Sequence, residues 1–228
     1  MRKILIGLSA GTAMLLGTVS SFAADGLGIG VTLSGVRLST TGSEVEGGET
    51  NRKGVQNSFA LGSVFADFTF LNNWVTIGYS IVPGEADVSD AQHQRTDVEL
   101  SVTDTTTHTT TSRTQQASAT VSDHNMAYIE IGNAYYLKAG YVEVSVETNE
   151  SLGTGSAYGN TTLEGTLLGA GYKSDWGDNG FIKLEGTYTD YDPLALTSST
   201  ARTDVTTNNK ISADIDSTAI NLGIGYKF

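Results

Sequence analysis

The chain has 228 residues, 27 glycines, two prolines and no cysteine, and its formal net charge is −12 at pH 7. The acidic balance, with no basic stripe to offset it, excludes a nucleic-acid surface. The lack of cysteine excludes a disulfide framework and a thiolate metal centre.

The chain opens on "MRKILIGLSAGTAMLLGTVSSFA", with Arg2 and Lys3, an apolar run over 4–17 and then Ser21-Phe22-Ala23. That order is the grammar of a secretory signal peptide, expected to be cleaved so that 1–23 is lost. The run is short for a membrane anchor, and a cleavage pattern follows it at once. Residues 24–228 then form one domain of 205 residues, with 11 basic against 25 acidic side chains and a net charge of −14. In this domain no apolar stretch reaches the roughly 18 residues of a transmembrane helix. Apolar residues recur instead at every second position, the period of a strand.

Eight strands are expected in chain order. The first lies near 26–38, with Leu27, Ile29, Val31 and Leu33 on one face. The second, near 58–70, carries Val64, Ala66, Phe68 and Phe70; the third, near 74–82, carries Val75, Ile77, Tyr79 and Ile81. The fourth is expected near 121–132, with Ala127, Ile129 and Ile131. In the fifth, near 136–147, the apolar face switches at Tyr141, so its register stays unassigned and a bulge is one explanation. The sixth and seventh fall near 161–173 and 181–191; the last runs near 211–228 with Ile220, Leu222, Ile224, Tyr226 and Phe228 on one face.

The connections alternate. Those at 71–73, 132–134 and 174–180 are short, whereas 39–57, 83–120, 148–160 and 192–210 are long and polar. Short and long in turn is the rhythm of an outer-membrane barrel. Pro83 and Pro193 fall where strands are expected to give way to long loops. Opposite the apolar faces stand Asp67, Glu130, Lys183, Glu185 and Lys227, a candidate polar network of the lumen, together with Thr32, Ser34, Thr76, Ser80 and Asn221. Aromatics gather near the short turns and the C-terminus as an expected interface girdle: Phe68, Phe70, Trp74, Tyr135, Tyr136, Tyr172, Trp176, Phe181, Tyr226 and Phe228. At roughly 9–11 residues per crossing the length suits eight strands; ten would need the second long loop to hold a hairpin built from "DVELSV" and "ASATV".

The ending Asn221-x-Gly223-x-x-Tyr226-x-Phe228 resembles the C-terminal assembly signal of bacterial outer-membrane proteins, with all four positions matched. Domain 24–228 thus resembles the small outer-membrane barrels of the opacity-protein, outer-membrane protein X and outer-membrane protein A transmembrane type. The resemblance implies an all-β, eight-stranded antiparallel transmembrane barrel with periplasmic termini and extracellular loops. It implies as partners outer-membrane lipid and lipopolysaccharide, periplasmic chaperones and the barrel-assembly machinery. A monomer without cofactor is expected, and an unknown surface ligand for the loops.

Other chemistry is thin. The glycines at 153, 155 and 159 do not have dinucleotide spacing. His93, His108 and His124 sit in or beside the second long loop with no ligand spacing. His124 with Asp123 or Ser122 is the one pairing for a lipid A-modifying enzyme, and neighbours on a strand face opposite ways. The acidic Glu44, Glu46, Glu49, Asp87 and Asp90 suggest divalent cations bridging to lipopolysaccharide phosphates. A structural or surface-interaction role is expected, without catalysis; the alternatives are a narrow passive channel and, third, a barrel enzyme. An eight-stranded interior is narrow enough for side chains to fill, so a plug is favoured over a water path.

Overall fold

The computed structural model describes residues 26–46, 49–87, 93–102, 108–151, 157–201 and 208–228. The expected signal peptide over 1–23 lies outside them, as do Asp90 and most of the glycine-spaced segment at 153–159. Ten strands follow in order: β1 (Leu27–Glu46), β2 (Glu49–Phe70), β3 (Val75–Val82), β4 (Ala86–Asp87), β5 (His93–Val102), β6 (His108–Gly132), β7 (Tyr135–Ser151), β8 (Thr161–Trp176), β9 (Gly180–Ala201) and β10 (Asn208–Lys227). Every pairing is antiparallel. Eight strands close a ring, from β1 through β2, β3, β6, β7, β8, β9 and β10 back to β1. No helix among the described residues is long and apolar enough to cross a membrane.

The hydrogen-bond register sets the width of the barrel. A path from Gly28 through Asp67, Gly78, Tyr128, Gly140, Leu167, Thr189 and Ser217 returns to β1 at Leu38, ten residues beyond its start. That stagger over eight strand spacings tilts the strands by roughly 40° and leaves an interior about wide enough for side chains. The chain turns tightly at one end. Leu71, Asn72 and Asn73 take φ of 52°, 55° and 66° between β2 and β3, a left-handed run that two asparagines make tolerable. Gly132, at φ 134°, packs its α-carbon against the Tyr135 carbonyl so closely that a Cβ has no room.

Most strands are longer than their alternation suggests, mainly at the other end; β3 keeps its expected length, and β8 gains 174–176 at the turn end. Residues 39–46 and 49–57, expected as parts of a loop, are the continuation of the β1–β2 hairpin, paired up to Glu46 with Glu49. In the same way β6 reaches back to His108 and β9 runs on to Ala201. These segments read as loops because their sequences are rich in polar residues, yet the backbone pairs regardless. The hairpin within the second long connection exists as β5 against β6, with Asp97 opposite Arg113, not against "ASATV". It stands beyond the ring, so the barrel keeps eight strands. Pro193, expected in a loop, lies within β9 at a bulge: Tyr191 pairs Ile215 and Leu194 pairs Ala213, leaving two residues opposite one. The bulge removes the need for the missing N–H donor.

The apolar face inverts along the long strands of the ring, as β10 and β7 show. On β10, Ile220, Leu222, Ile224 and Tyr226 are exposed, while Asn221 and Gly223 are buried. Further up the same strand Asp214 and Thr218 face outward and Ala213 and Ser217 inward. On β7 the outward residues run Tyr135, Leu137, Ala139, Tyr141 and then Glu143, whereas Val142, Val144 and Val146 turn inside. This resolves the fifth strand. Its register against β8 is unbroken through Tyr141, and the bulge sits instead in β6, where Asp123 takes φ 50° between Ser122 and Asn125. The face switches because the surroundings switch. The turn-side half meets lipid, and the far half meets water around an apolar core.

Candidate functional site

At the centre of the lipid-facing half the interior is filled by ion pairs. Lys183 Nζ, from β9, donates to Asp67 Oδ2 of β2 at 2.8 Å and to Glu130 of β6 at 2.9 and 3.0 Å. Lys138 Nζ, from β7, donates to both oxygens of Glu185 at 3.1 Å and lies 3.7 Å from Glu130. Tyr136 Oη donates to Glu185 at 2.6 Å. All five charged groups are buried, Glu130 at 2% exposure. Three carboxylates thus share two ammonium groups and two phenols, those of Tyr136 and, at 3.5 Å from Asp67, Tyr128, and this saturation is what makes buried charge tolerable.

Aromatic rings pack around the ion pairs, each laid over a glycine across the barrel wall. A Cβ at Gly30 or Gly171 would come within 2.5 Å of the Phe65 or Tyr136 ring. Gly78 beneath Tyr128 and Gly225 beneath Phe181 are tighter still. The same rings support the cations: Lys138 Nζ sits 4.0 Å from the Tyr128 centroid and Lys183 Nζ 5.1 Å from that of Phe65. Inward glycines on β1, β3, β8 and β10 are therefore the space into which the plug fits.

The residues expected at the lumen divide. Asp67, Glu130, Lys183 and Glu185 meet in this plug. Lys227 does not; it pairs with Asp175 at the turn-side rim. Lys138, Tyr128 and Phe65 complete the plug without having been expected there. Tyr136 and Phe181, expected in the interface girdle, are interior residues at 4% and 1% exposure. Their positions alternate with Tyr135 and Ile182, which take the outer face, and the unassigned register of the fifth strand hid Tyr136 and Lys138 together. Trp74, Trp176, Tyr135 and Tyr226 do face outward near the short turns. Tyr135 packs against Tyr172 at a tilt of 47° with centroids 5.1 Å apart, and Tyr226 meets Phe228 edge-on at 5.2 Å.

The four C-terminal positions expected as an assembly signal, Asn221, Gly223, Tyr226 and Phe228, lie at the closing seam. Asn221 and Gly223 point inward, and Asn221 Nδ2 donates to Thr187 Oγ1 at 3.1 Å. The Phe228 N–H donates to the Leu27 carbonyl at 2.9 Å, completing a register that runs from Gly28–Lys227 to Val45–Lys210.

Hollows flank the plug. A cavity of about 410 Å³ on the turn side is bounded by Lys173, Asp175, Phe181 and Phe228. A second, of about 330 Å³, lies on the far side, with Lys138, Lys183 and Glu185 in its floor and Val36, Leu38, Phe59, Val144, Leu163 and Ile215 in its walls. No residue lines both. His124 lines the upper cavity, 3.4 Å from Tyr191 Oη, and burial lowers its pKa below the ordinary value. Ser122 donates to Asp123 at 3.5 Å, so the described contacts join neither to the imidazole. Among the described residues no cluster of His, Asp and Glu is arranged to hold a metal ion.

No family model matches the chain, and no curated protein matches it. Solved structures similar to it include the outer membrane protein OprG from Pseudomonas aeruginosa, at 11% identity over 91% of this chain and 99% of that one, with a TM-score of 0.47. The outer membrane protein AlkL in lipid bilayers is 10% identical over 100% of this chain and 97% of that one, with a TM-score of 0.47. The outer membrane protease OmpT from Escherichia coli is 9% identical over 90% and 97%, with a TM-score of 0.43. The closed antiparallel ring, its apolar outer band and its charged interior define the class on their own: the chain is an integral outer-membrane β-barrel.

Proposed function

We propose that this barrel is closed to ions and works at the outer surface, through the strands that continue past the lipid band. One observation carries the reading. Lys183 is locked between Asp67 and Glu130 while four aromatic rings fill the same layer, so no wide water path crosses it. The wall beyond is long: β6 has 25 residues and β2 and β9 have 22 each, against roughly 9–11 for a crossing. The surplus forms a polar-faced structure suited to contact with another surface, or with lipopolysaccharide through divalent cations that bridge its acidic groups to phosphate. In this reading 1–23 is removed on export and the signal ending in Phe228 guides assembly.

A narrow passive channel is the competing reading. It is favoured by the two hollows, which leave a single layer of side chains between them. Conductance of the refolded chain in a planar bilayer separates the two, using protein shown to be folded by its heat-dependent gel mobility. Silence is the expected result; reproducible discrete steps would replace the surface reading with the channel.

A further inference from the structure

We infer that the hollow above the plug is a binding site for one small uncharged amphiphile, an apolar body of roughly a dozen heavy atoms ending in a hydroxyl-like group. The inference rests on the shape and chemistry of the chamber, and holds whether or not the loops contact another surface.

The two halves of the interior are built differently. The plug is packed solid, with rings pressed on glycines, and the hollow beneath it is polar, bounded by Asp67, Lys173, Asp175 and Lys227. The upper half carries inward Val144, Val146 and Leu163, packed with Tyr191, Leu194 and Ile215, and still leaves about 330 Å³ empty. A chain that needed only a core there had side chains enough on eight strands to fill it. Apolar cavities of this kind exclude water and accept apolar molecules. The volume lies at the lower end of small-molecule sites.

The floor selects the head group. Lys138, Lys183 and Glu185 look into the chamber, but each is already saturated by its partners, so a charged ligand finds no free counter-ion. Around them lie buried neutral groups: Ser80, Thr189, Ser217 and Asn221. A hydroxyl can exchange hydrogen bonds with such groups at no cost in charge desolvation.

The wall also offers an entrance. β2 and β3 part above the pair Val64–Ile81, and β4 pairs with β6, not β2. Among the described residues β2, still paired with β1 on one edge, has no strand on its other edge there. Leu61 of β2 and Pro83, Gly84 and Glu85 after β3 border both this break and the chamber. Ile81 is the last outward apolar residue of β3, so the break opens at the upper edge of the lipid band, where an amphiphile resides.

The test uses the full barrel in phospholipid vesicles and a ten-carbon alcohol carrying a diazirine, with labelled sites mapped by mass spectrometry. Labelling is expected on the segments bearing Val144 and Leu163. Excess 1-decanol should reduce it at least about fivefold, and decanoate far less. Leu163→Trp, which fills the chamber, should remove that label and spare the label on Leu222 of the lipid face. If this variant loses its heat-dependent mobility, Val144→Phe takes its place, and competition on the unaltered barrel decides alone. Label confined to lipid-facing residues, or unmoved by decanol, overturns the site. Equal competition by decanoate overturns the neutral head group.

Discussion

Lys183→Met tests the plug most directly. The ammonium sits 2.8 Å from Asp67 and 2.9 Å from Glu130, with all three side chains at or below 5% exposure. Its loss does not affect the two carboxylates equally. Glu130 keeps Lys138 at 3.7 Å, whereas Asp67 keeps the Tyr128 hydroxyl at 3.5 Å and no described cation. Removing one member of a buried, hydrogen-bonded pair costs about 3–5 kcal/mol, because the other charge is left unpaired. The expected loss is in that range and is assigned mainly to Asp67. Urea unfolding in vesicles, followed by the fluorescence of Trp74 and Trp176, measures it. Lys183→Met combined with Asp67→Leu removes both charges, and should recover at least half of the loss, since apolar replacement of a buried pair is close to neutral. A single variant within about 1 kcal/mol of the parent, or a double variant no better than the single one, would refute the assignment of a tight internal ion pair.

Gly78→Val drives a side chain into the Tyr128 ring and should cost about 1–3 kcal/mol in the same unfolding assay. Gly35→Ala, with no atom within 4 Å of its added Cβ, should stay within about 0.5 kcal/mol. Leu222→Arg on the lipid face should cost roughly 2–4 kcal/mol, while Asp214→Arg, outward on the same strand but above the band, should cost about 1 kcal/mol or less; equal costs would mean that the lipid boundary is misplaced. Deleting Phe228 should lower the yield of folded barrel in the outer membrane, read by heat-dependent gel mobility of membrane fractions. Unchanged yield would leave Phe228 as an ordinary strand end.

Alternation was enough to locate the turn-side half of each of the eight ring strands, and to orient all of them but β7. Ile220, Leu222, Ile224 and Tyr226 face lipid, and lipid demands an uninterrupted apolar face, so the period of two is plain in the residues themselves. The turns were equally legible, because Asn72 and Asn73 advertise the left-handed backbone they adopt. The far half was not legible as strand. There the outward positions carry Asp, Ser and Thr, which suit a loop as well as a solvated sheet, and only pairing across the barrel tells the two apart. Charge at Asp67, Glu130, Lys183 and Glu185 could be read as inward, but not which lysine meets which carboxylate. That depends on a ten-residue stagger around the ring, a property of all eight strands together. Tyr136 and Lys138 could be placed only once β7 had its register, and the chamber above them arises only where inward apolar faces from opposite walls fail to meet. A single strand fixes which face is greasy; how far apart two such faces stand is decided by closure of the barrel.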